Sequence, residues 1–261
     1  KALLITRDIT ERKKAENIII EEYNKLVELS KIKSNLIMQA SHEFKTPLSS
    51  IYAAAQLLLT NFKEQFDKKA LQFIEMIYKG SQKLRQLIEN LLDVSKIESN
   101  KLNLNVQEEN LVDIINGCFN DLKYWAKKKK IDVKVELPEE IILRIDKIRL
   151  EQVIINLLSN AIKFTPLKGN IYIKLNVTNQ FVDLIIQDTG IGLTKKEKNL
   201  LFKKFGRIKR VGKDLEIDLE GSGLGLYISK EIVELHNGKI LVESKGRNKG
   251  STFIIRLPKI K

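Results

Sequence analysis

The sequence is poor in the residues that form disulfides, metal clusters and membrane spans. Its one cysteine, Cys118, among 261 residues excludes an internal disulfide and any metal site built from several cysteines; we expect it to be a small packed residue. No apolar run approaches the ~18 residues that a membrane-spanning helix needs. The chain shows no secretory signal and begins at Lys1. We therefore expect a cytoplasmic fragment whose missing upstream part can still hold a membrane anchor.

Basic residues outnumber acidic ones: the chain has 46 Lys and Arg and 33 Asp and Glu, so its formal net charge is +13. Such an excess suits a nucleic-acid partner when the cations gather on one helix face. Here the lysines are spread along the whole chain among acidic residues. We therefore expect a lysine-rich solvated surface and no nucleic-acid partner. An acidic protein partner or a bound polyphosphate remains the alternative.

Glycine is absent and proline occurs once between Glu11 and about Phe62, which predicts one helix of unusual length. Apolar periodicity predicts a second helix from about Asp67 to Ile97. Two long helices with a short connection form an antiparallel hairpin, which cannot cover both of its apolar stripes alone. We therefore expect dimerisation into a four-helix bundle. The opening "KALLIT" predicts a short strand, followed by Asp8 or Thr10 as a helix N-cap.

The pattern changes after "ESNKLNLN", which we interpret as a linker. Five segments with apolar alternation or β-branched runs predict strands: "IDVKVELP", "GNIYIKLNVT", "FVDLIIQDTG", "KILVESK" and "GSTFIIRLP". Helical periodicities lie between them, near 111–129, 146–163 and 224–235. Strands mixed with helices indicate an α/β sandwich. The chain is thus expected to be multi-domain, with an α unit followed by an α/β unit.

The segment "SHEFKTP" holds His42, one of only two histidines. At about 100° per residue, Thr46 falls on the same helix face as His42, whereas Phe44 falls near the opposite, core side. His42 is expected to point outward as an accessible nucleophile. Glu43 can take or orient the imidazole proton, and Thr46 can position a water. Pro47 removes a backbone donor and predicts a bend. Alone, the segment is also compatible with an exposed histidine on a solvated face.

The segment "LEQVIINLLSNAIKFTP" places Asn156 and Asn160 four residues apart on one helix face, with Lys163 on the same polar stripe. Buried asparagines need hydrogen-bond partners. A hydrated magnesium ion with nucleotide phosphates supplies them, because Mg²⁺ keeps several waters and takes few protein oxygens. Two surface-polar positions are the alternative.

Two glycine-containing segments follow. In "DTGIGL", Gly190 and Gly192 let the backbone approach a ligand, and Asp188 can accept a hydrogen bond from an amino group such as that of adenine. In "EGSGLGLYIS", glycines precede a helix, an arrangement that suits a phosphate site. These glycines are Gly221, Gly223 and Gly225. Each segment is also compatible with a simple turn or loop.

A basic segment, "LFKKFGRIKRVGKDLEIDLE", lies between these two glycine-containing segments. Its cations surround Phe202 and Phe205, and its glycines suggest a mobile lid whose charge suits a polyphosphate. The cations are Lys203, Lys204, Arg207, Lys209 and Arg210. A solvated basic loop is the alternative.

In this order the motifs resemble the transmitter core of sensor histidine kinases of two-component systems. "SHEFKTP" resembles the H box, "NLLSNAIKF" the N box, "DTGIGL" the G1 box, "LFKKFGR" the F box and "GSGLGL" the G2 box. "KGSTFIIRLP" resembles the terminal strand of the ATP-binding domain. The likeness covers about residues 11–261. The opening "LLITRDITERKKAE" resembles the exit of a PAS sensor domain.

The resemblance implies three regions. Residues 1–10 are the remnant of a PAS-like strand, and residues 11–99 are a signalling helix with the dimerisation and histidine-phosphotransfer hairpin. Residues 100–261 are an ATP-binding catalytic domain with the sandwich of the histidine-kinase, gyrase and chaperone type.

The resemblance also implies the activity, an ATP-dependent autophosphorylating kinase that passes phosphate from His42 to an aspartate of a response regulator. Glu43 resembles the activating acid, and Thr46 the residue that dephosphorylates the regulator. Asn160 matches a magnesium ligand, and Asn156 its N-box partner. Homodimerisation and a receiver-domain partner follow, with membrane contact only through absent upstream segments.

The remaining matches concern the nucleotide. Lys163 and Phe164 would lie by the phosphates and nucleotide, and Asp188 would read the adenine amino group. Arg207 matches an arginine that approaches the γ-phosphate. The residues that shape the pocket and close around the phosphates are Gly190, Gly192, Gly221, Gly223, Leu224 and Gly225.

Two alternatives stay open. An ATPase with the same sandwich would activate water with a glutamate at the first N-box position, where this chain has Asn156. A degenerate dimeric scaffold would lack the histidine, an N-box asparagine or a G-box glycine, and none is missing. The second histidine, His236, is expected to be structural, near a helix end capped by Asn237–Gly238.

Overall fold

The computed structural model of the chain describes residues 2–206 and 222–259. The chain divides into two compact units, Lys1–Leu102 and Asn103–Lys261. Within the described residues, the first unit contains only helices and the second contains both helices and strands.

Two long helices form the first unit. Helix α1 covers Ala2–Asn61 and helix α2 covers Lys68–Glu98, with a short 3-10 turn at Lys63–Gln65 between them. The Asp67 side chain accepts a hydrogen bond from Ala70 N at 2.7 Å and caps α2. The helical hairpin predicted from the sequence is confirmed, and α2 lies within one residue of its expected ends.

The two helices bury residues at seven-residue intervals, the repeat of a coiled coil. On α1 these residues are Ser34, Ser41, Leu48 and Ala55, and on α2 they are Ile74, Ser81, Ile88 and Ser95. Ser95 Oγ donates to Ser34 O at 3.1 Å, and the hydroxyls of Tyr52 and Tyr78 lie 3.2 Å apart. These contacts set an antiparallel register in which small residues let the helices approach closely.

A second apolar stripe remains exposed on the hairpin. Phe44, which the helical wheel placed on the core side, is 61% exposed in the single chain, and Ile51 is 49% exposed. Ile77 and Leu84 on α2 are exposed as well. The intrachain core runs through Ser41 and its heptad relatives, so Phe44, predicted to face the core, is not covered within the single chain. We call Phe44, Ile51, Ile77 and Leu84 the second apolar stripe.

The strand expected in "KALLIT" is wrong, because α1 already includes Ala2–Thr10. Neither Asp8 nor Thr10 is therefore the N-cap of α1. A strand needs a neighbouring strand for its backbone hydrogen bonds, and none of the strands in the described residues pairs with this segment. In the helix, the carbonyls of this first turn accept from amides four residues on, without a second strand.

The second unit holds seven strands and four helices within its described residues. The strands are β1 Gln107–Asn110, β2 Asp132–Glu136, β3 Ile142–Ile145, β4 Asn170–Val177, β5 Phe181–Asp188, β6 Lys239–Glu243 and β7 Ser251–Pro258. The helices are α3 Leu111–Lys128, α4 Lys147–Phe164, α5 Lys195–Lys198 and α6 Gly225–Leu235.

Five of the strands form one sheet in the order β2-β4-β5-β7-β6, and β1 pairs with β3 separately. Strands β2 and β4 are parallel, and the other neighbours are antiparallel. Residues of β7 alternate strictly between buried and half-buried, so one face of the sheet carries the core. The core side chains from sheet and helices include Ile171, Ile173, Leu184, Ile186, Ile255, Leu150, Ile154, Leu157, Ile228 and Ile232.

The predicted α/β sandwich is confirmed, with all five expected strands and all three expected helices. The sequence did not predict β1, β3 and α5, each only four residues long. Segments of this length are too short for a hydrophobic period to be recognised.

His236 ties the end of α6 to the start of α4. Its Nε2 accepts from Asp146 N at 2.9 Å, so Nδ1 carries the proton and donates to Ile232 O at 2.8 Å. Asn237 has a φ of 58°, and Gly238 N donates to Val233 O at 2.9 Å. The expected structural role at a capped helix end is confirmed.

Candidate functional site

An open cleft of about 510 Å³ lies at the carboxyl end of β5. Its walls come from α4, the turn after β5, the start of α6 and the start of β7. The lining residues are Asn160, Ala161, Phe164, Asp188, Ile191, Gly192, Leu193, Leu201, Leu226, Ser251 and Phe253. This space is open to solvent, and its walls are mostly apolar with a few polar groups, as in small-molecule sites.

Asp188 is the buried charge of this cleft. It ends β5 and is only 6% exposed. Burial raises the pKa of its carboxyl from 3.8 to about 6, partly offset by hydrogen bonds from Gly190 N at 2.7 Å and Ser251 N at 3.3 Å. Both bonds reach Oδ1. Within the described residues Oδ2 accepts no hydrogen bond, so it can accept one from a ligand.

Asn160 and Asn156 have different surroundings, although both lie on α4. Asn160 lines the cleft, and its Nδ2 donates to Asn156 Oδ1 at 3.5 Å. Asn156 Nδ2 donates to Ser229 Oγ on α6 at 2.8 Å. A Cβ on Gly225 would lie 2.5 Å from Asn156 Oδ1, so a larger residue there would have to displace the Asn156 side chain. Asn156 therefore joins α4 to α6, and Asn160 presents its amide oxygen as a potential ligand.

The end of α4 carries Lys163 and Phe164. The Lys163 Nζ lies 5.6 Å from the centre of the Phe164 ring, within cation–π range. Phe164 lines the cleft, whereas Lys163 is not among its lining residues.

The turn after β5 is held by backbone contacts with the loop between β6 and β7. Gly250 N donates to Gly190 O at 3.0 Å, and Leu193 N donates to Ser244 Oγ at 2.9 Å. Gly192 has a φ of 61° and a Cβ there would collide with the carbonyl oxygen of Gly246. Sequence reasoning did not single out this loop, and its only local signal is the pair of glycines in "SKGRNKGS".

Part of the glycine-rich segment before α6 is described. Gly223 has a φ of 71° and packs on the backbone of Phe205, and Leu224 is buried. Gly225 begins α6, and the next residue, Leu226, lines the cleft. Arg207 and Gly221 lie outside the described residues, as do Lys209 and Arg210 of the basic segment.

The expected phosphoacceptor segment lies on α1. His42, Glu43 and Thr46 are all exposed. The helix continues across Pro47, which has no N–H to donate to Glu43 O. Ser41, just before the histidine, is 1% exposed, and its Oγ has no hydrogen-bond partner among the residues that the structure describes. The segment thus sets a buried residue next to an accessible imidazole.

The donor groups of the cleft fit a magnesium ion better than a softer metal. No group of three or more His, Cys, Asp and Glu side chains suitable for a metal occurs in the described residues. One amide oxygen, from Asn160, together with waters and phosphate oxygens is a typical Mg²⁺ environment.

No described helix has an apolar stretch long enough to cross a bilayer.

Comparison with known proteins agrees with this geometry. Residues 32–100 match the His Kinase A (phospho-acceptor) domain, and residues 145–261 match the histidine kinase-, DNA gyrase B- and HSP90-like ATPase domain. A crystal structure of full-length ShkA in complex with AMPPNP shares the fold, with a TM-score of 0.69 and 21% identity over 86% of this chain and 45% of that chain.

Two curated relatives extend over both domains. The chain is 30% identical over 233 residues to the aerobic respiration control sensor protein ArcB homolog of Haemophilus influenzae, covering 88% of this chain and 69% of that protein. It is 32% identical over 232 residues to histidine kinase P4 of Formosa agariphila, covering 88% of this chain but only 17% of that protein. The chain thus spans a varying part of longer relatives. On its matched domains and relatives, it belongs to the sensor histidine kinases, the ATP-binding protein-histidine kinases of two-component signalling.

Proposed function

We propose that this chain phosphorylates itself on His42 with ATP and passes the phosphoryl group to an aspartate of a response regulator. An exposed histidine, together with a cleft lined by Asn160, Phe164 and Asp188 in the same chain, carries the proposal. A ring nitrogen of His42 attacks the γ-phosphorus, and the bond to the β,γ-bridging oxygen breaks as ADP leaves. Glu43 takes the proton of the other ring nitrogen. The regulator's aspartate then attacks the phosphorus and releases the imidazole.

The nucleotide is bound by residues of the cleft. The ionised Asp188 accepts a hydrogen bond from the adenine amino group, and Phe164 contacts the nucleotide. Asn160 Oδ1 is the proposed protein ligand of magnesium, since Nδ2 of the same amide already donates to Asn156. Magnesium, when bound, neutralises charge on the phosphates. Lys163 supplies a cation beside them.

The turn after β5 shapes the base pocket, and the glycine-rich segment before α6 closes around the phosphates. Backbone amides at the start of an 11-residue helix such as α6 favour an anion. In the turn after β5, the proposed base-pocket residues are Gly190 and Gly192. In the segment before α6, the residues proposed to close around the phosphates are Gly221, Gly223, Leu224 and Gly225. We assign Arg207 to the γ-phosphate, where a guanidinium stabilises the transferring group.

The functional unit is proposed to be a homodimer. The second apolar stripe leaves large side chains such as Phe44 in water, which costs about 25 cal/mol per Å² of apolar surface that a partner would cover. A second copy of the hairpin presents the same stripe, so pairing two hairpins yields a symmetric four-helix bundle.

The reverse reaction is assigned to Thr46. It is exposed one helical turn after His42, where a hydroxyl can orient water toward the phosphoaspartate of the regulator. We further propose an upstream PAS sensor domain, because of the likeness of "LLITRDITERKKAE". A cytosolic location follows from the use of ATP.

Hydrolysis of ATP by the cleft alone is disfavoured. Such an ATPase needs a carboxylate to activate water, and the position concerned is Asn156, whose amide is engaged with Ser229. A degenerate scaffold is disfavoured because the chain keeps His42, both N-box asparagines and the G-box glycines.

The test is to incubate the chain with labelled ATP and Mg²⁺ and to look for label that acid removes and base does not. His42→Gln is expected to abolish this label. Asn160→Ala is expected to reduce it strongly by weakening magnesium binding. Label that persists in His42→Gln would place the acceptor elsewhere, and unchanged labelling of Asn160→Ala would refute the magnesium ligand.

A further inference from the structure

Four consecutive lysines, 127–130, follow one another at the end of α3, and one of them differs from the rest. Lys129 is half-buried, whereas its three neighbours are exposed. Its Nζ donates to three backbone carbonyls at the end of α4: Ile162 O at 2.8 Å, Lys163 O at 3.0 Å and Thr165 O at 2.7 Å. An ammonium has three donors, so all of them are used.

The need for this cation follows from the sequence of α4. The last carbonyls of a helix have no partner within it and carry a partial negative charge. The natural partner of Ile162 O would be the amide four residues on, but that residue is Pro166, which has no N–H. The Lys129 ammonium replaces the missing donor and takes two further carbonyls.

Among the carbonyls of residues 162–165, only that of Phe164 is not bonded by Lys129 in the described residues, and Phe164 lines the cleft. Phe164 O accepts from Ile191 N at 3.2 Å, in the turn that follows Asp188. A Cβ on Gly190 would lie 2.5 Å from the same oxygen, so this turn packs tightly on the helix end. The carbonyls of residues 162–165 are thus divided between Lys129 and the turn after β5.

We propose that Lys129 is a positioning residue of the nucleotide site, which sets the end of α4 against the turn after β5. It touches no substrate. It acts through Phe164 and Asn160, which line the cleft from α4, and through the turn that carries Asp188 and Gly192. The inference rests on the assignment of this cleft to ATP. The backbone of Lys129 is itself fixed, because Lys168 N donates to its carbonyl at 3.2 Å.

Protonation of Lys129 matters for this role. Burial lowers the pKa of its ammonium, so the side chain loses its proton at a less alkaline pH than an exposed lysine. A neutral amine has one donor fewer and no charge to offer the three carbonyls. Nucleotide binding by the wild-type chain should therefore weaken at alkaline pH earlier than in a variant with arginine at this position.

The test compares Lys129→Met, Lys129→Arg and the exposed control Lys127→Met in the full 261-residue chain. Dissociation constants for ADP, the KM for ATP and kcat of autophosphorylation are measured at pH 7.5 and pH 9.5. We expect Lys129→Met to raise the dissociation constant and the KM about tenfold, with kcat nearly unchanged and Lys127→Met like wild type. Lys129→Arg should retain most of the affinity and lose less of it at pH 9.5.

Equal nucleotide affinity of folded Lys129→Met and wild type would overturn the inference and leave the ATP site intact. If Lys129→Met does not fold, the comparison rests on the wild type and Lys129→Arg. The same loss of affinity at pH 9.5 in both would then overturn it. Absence of nucleotide binding in the wild type would instead overturn the ATP site itself.

Discussion

Replacement of Asp188 by asparagine should make the second unit more stable and, at the same time, unable to select adenine. The carboxyl is buried, and its pKa of about 6 lies well above the ordinary 3.8. A raised pKa means that the folded state prefers the protonated acid. The corresponding stability is complete below pH 3.8 and is lost as the pH rises through 6. At pH 7 the ionised side chain therefore costs about 3 kcal/mol of unfolding free energy.

Asparagine removes this cost without disturbing the local hydrogen bonds. Its amide oxygen can still accept from Gly190 N and Ser251 N, which now bond Asp188 Oδ1. Its NH₂ group then replaces Oδ2 and meets the adenine amino group donor to donor. We expect Asp188→Asn to gain up to about 3 kcal/mol of stability at pH 7 and to bind adenine nucleotides about 100-fold more weakly.

The assay is urea denaturation at pH 4 to 8, in which a spectroscopic signal of the second unit reports unfolding. ADP is titrated into the same variants to measure nucleotide affinity. The gain should shrink toward zero as the pH falls to 4. A matched control is Asp183→Asn on the same strand, since Asp183 accepts two bonds from Arg256 at 2.8 and 2.7 Å and its loss should destabilise the unit. If Asp188→Asn is less stable than wild type at pH 7, or changes the unfolding free energy by the same amount at every pH, ionisation of the buried Asp188 carboxyl does not destabilise the unit.

Three further outcomes can be checked independently. Cys118 is buried with its pKa raised to about 12, so the native thiol should react with a thiol reagent at neutral pH only after unfolding in urea; rapid native reaction would contradict its burial. Gly225→Ala should lower nucleotide affinity at least tenfold by pushing Asn156 from its place, whereas unchanged affinity would show that the contact yields. Phe44→Lys with Ile51→Lys should shift the chain toward monomer in analytical ultracentrifugation, and an unchanged mass would exclude the second apolar stripe as the interface.

The elements with a clear hydrophobic period or a helix-capping residue were predicted from the sequence. The short elements, and the contacts made by loops and backbone groups, were not. Asp67, a good N-cap residue before a long apolar period, located the start of α2. The helical wheel placed Phe44 on the core side but did not separate the side of α1 that packs within the chain from the side that stays exposed there. Two adjacent apolar stripes satisfy the same helical period, and a wheel cannot tell which one a neighbouring helix covers.

Other features of the site carry little signal in the sequence. The loop that holds the turn after β5 acts mostly through backbone groups, such as Gly250 N on Gly190 O, and any residue has these groups. Lys129 is one of four identical neighbours, and only the three-dimensional path of α3 turns it toward the end of α4. The strand wrongly predicted at "KALLIT" also depends on the rest of the fold, because residues with high β propensity form a strand only where a neighbouring strand pairs with them.

The most direct test of the proposed activity is to locate the phosphoryl group itself. The chain is incubated with ATP and Mg²⁺, digested at neutral to alkaline pH, and its peptides are analysed by mass spectrometry. We expect one phosphorylated site, on the imidazole of His42, in a peptide containing "SHEFK". A phosphoryl group on His236 or on a hydroxyl residue, with His42 unmodified while ATP is consumed, would contradict it.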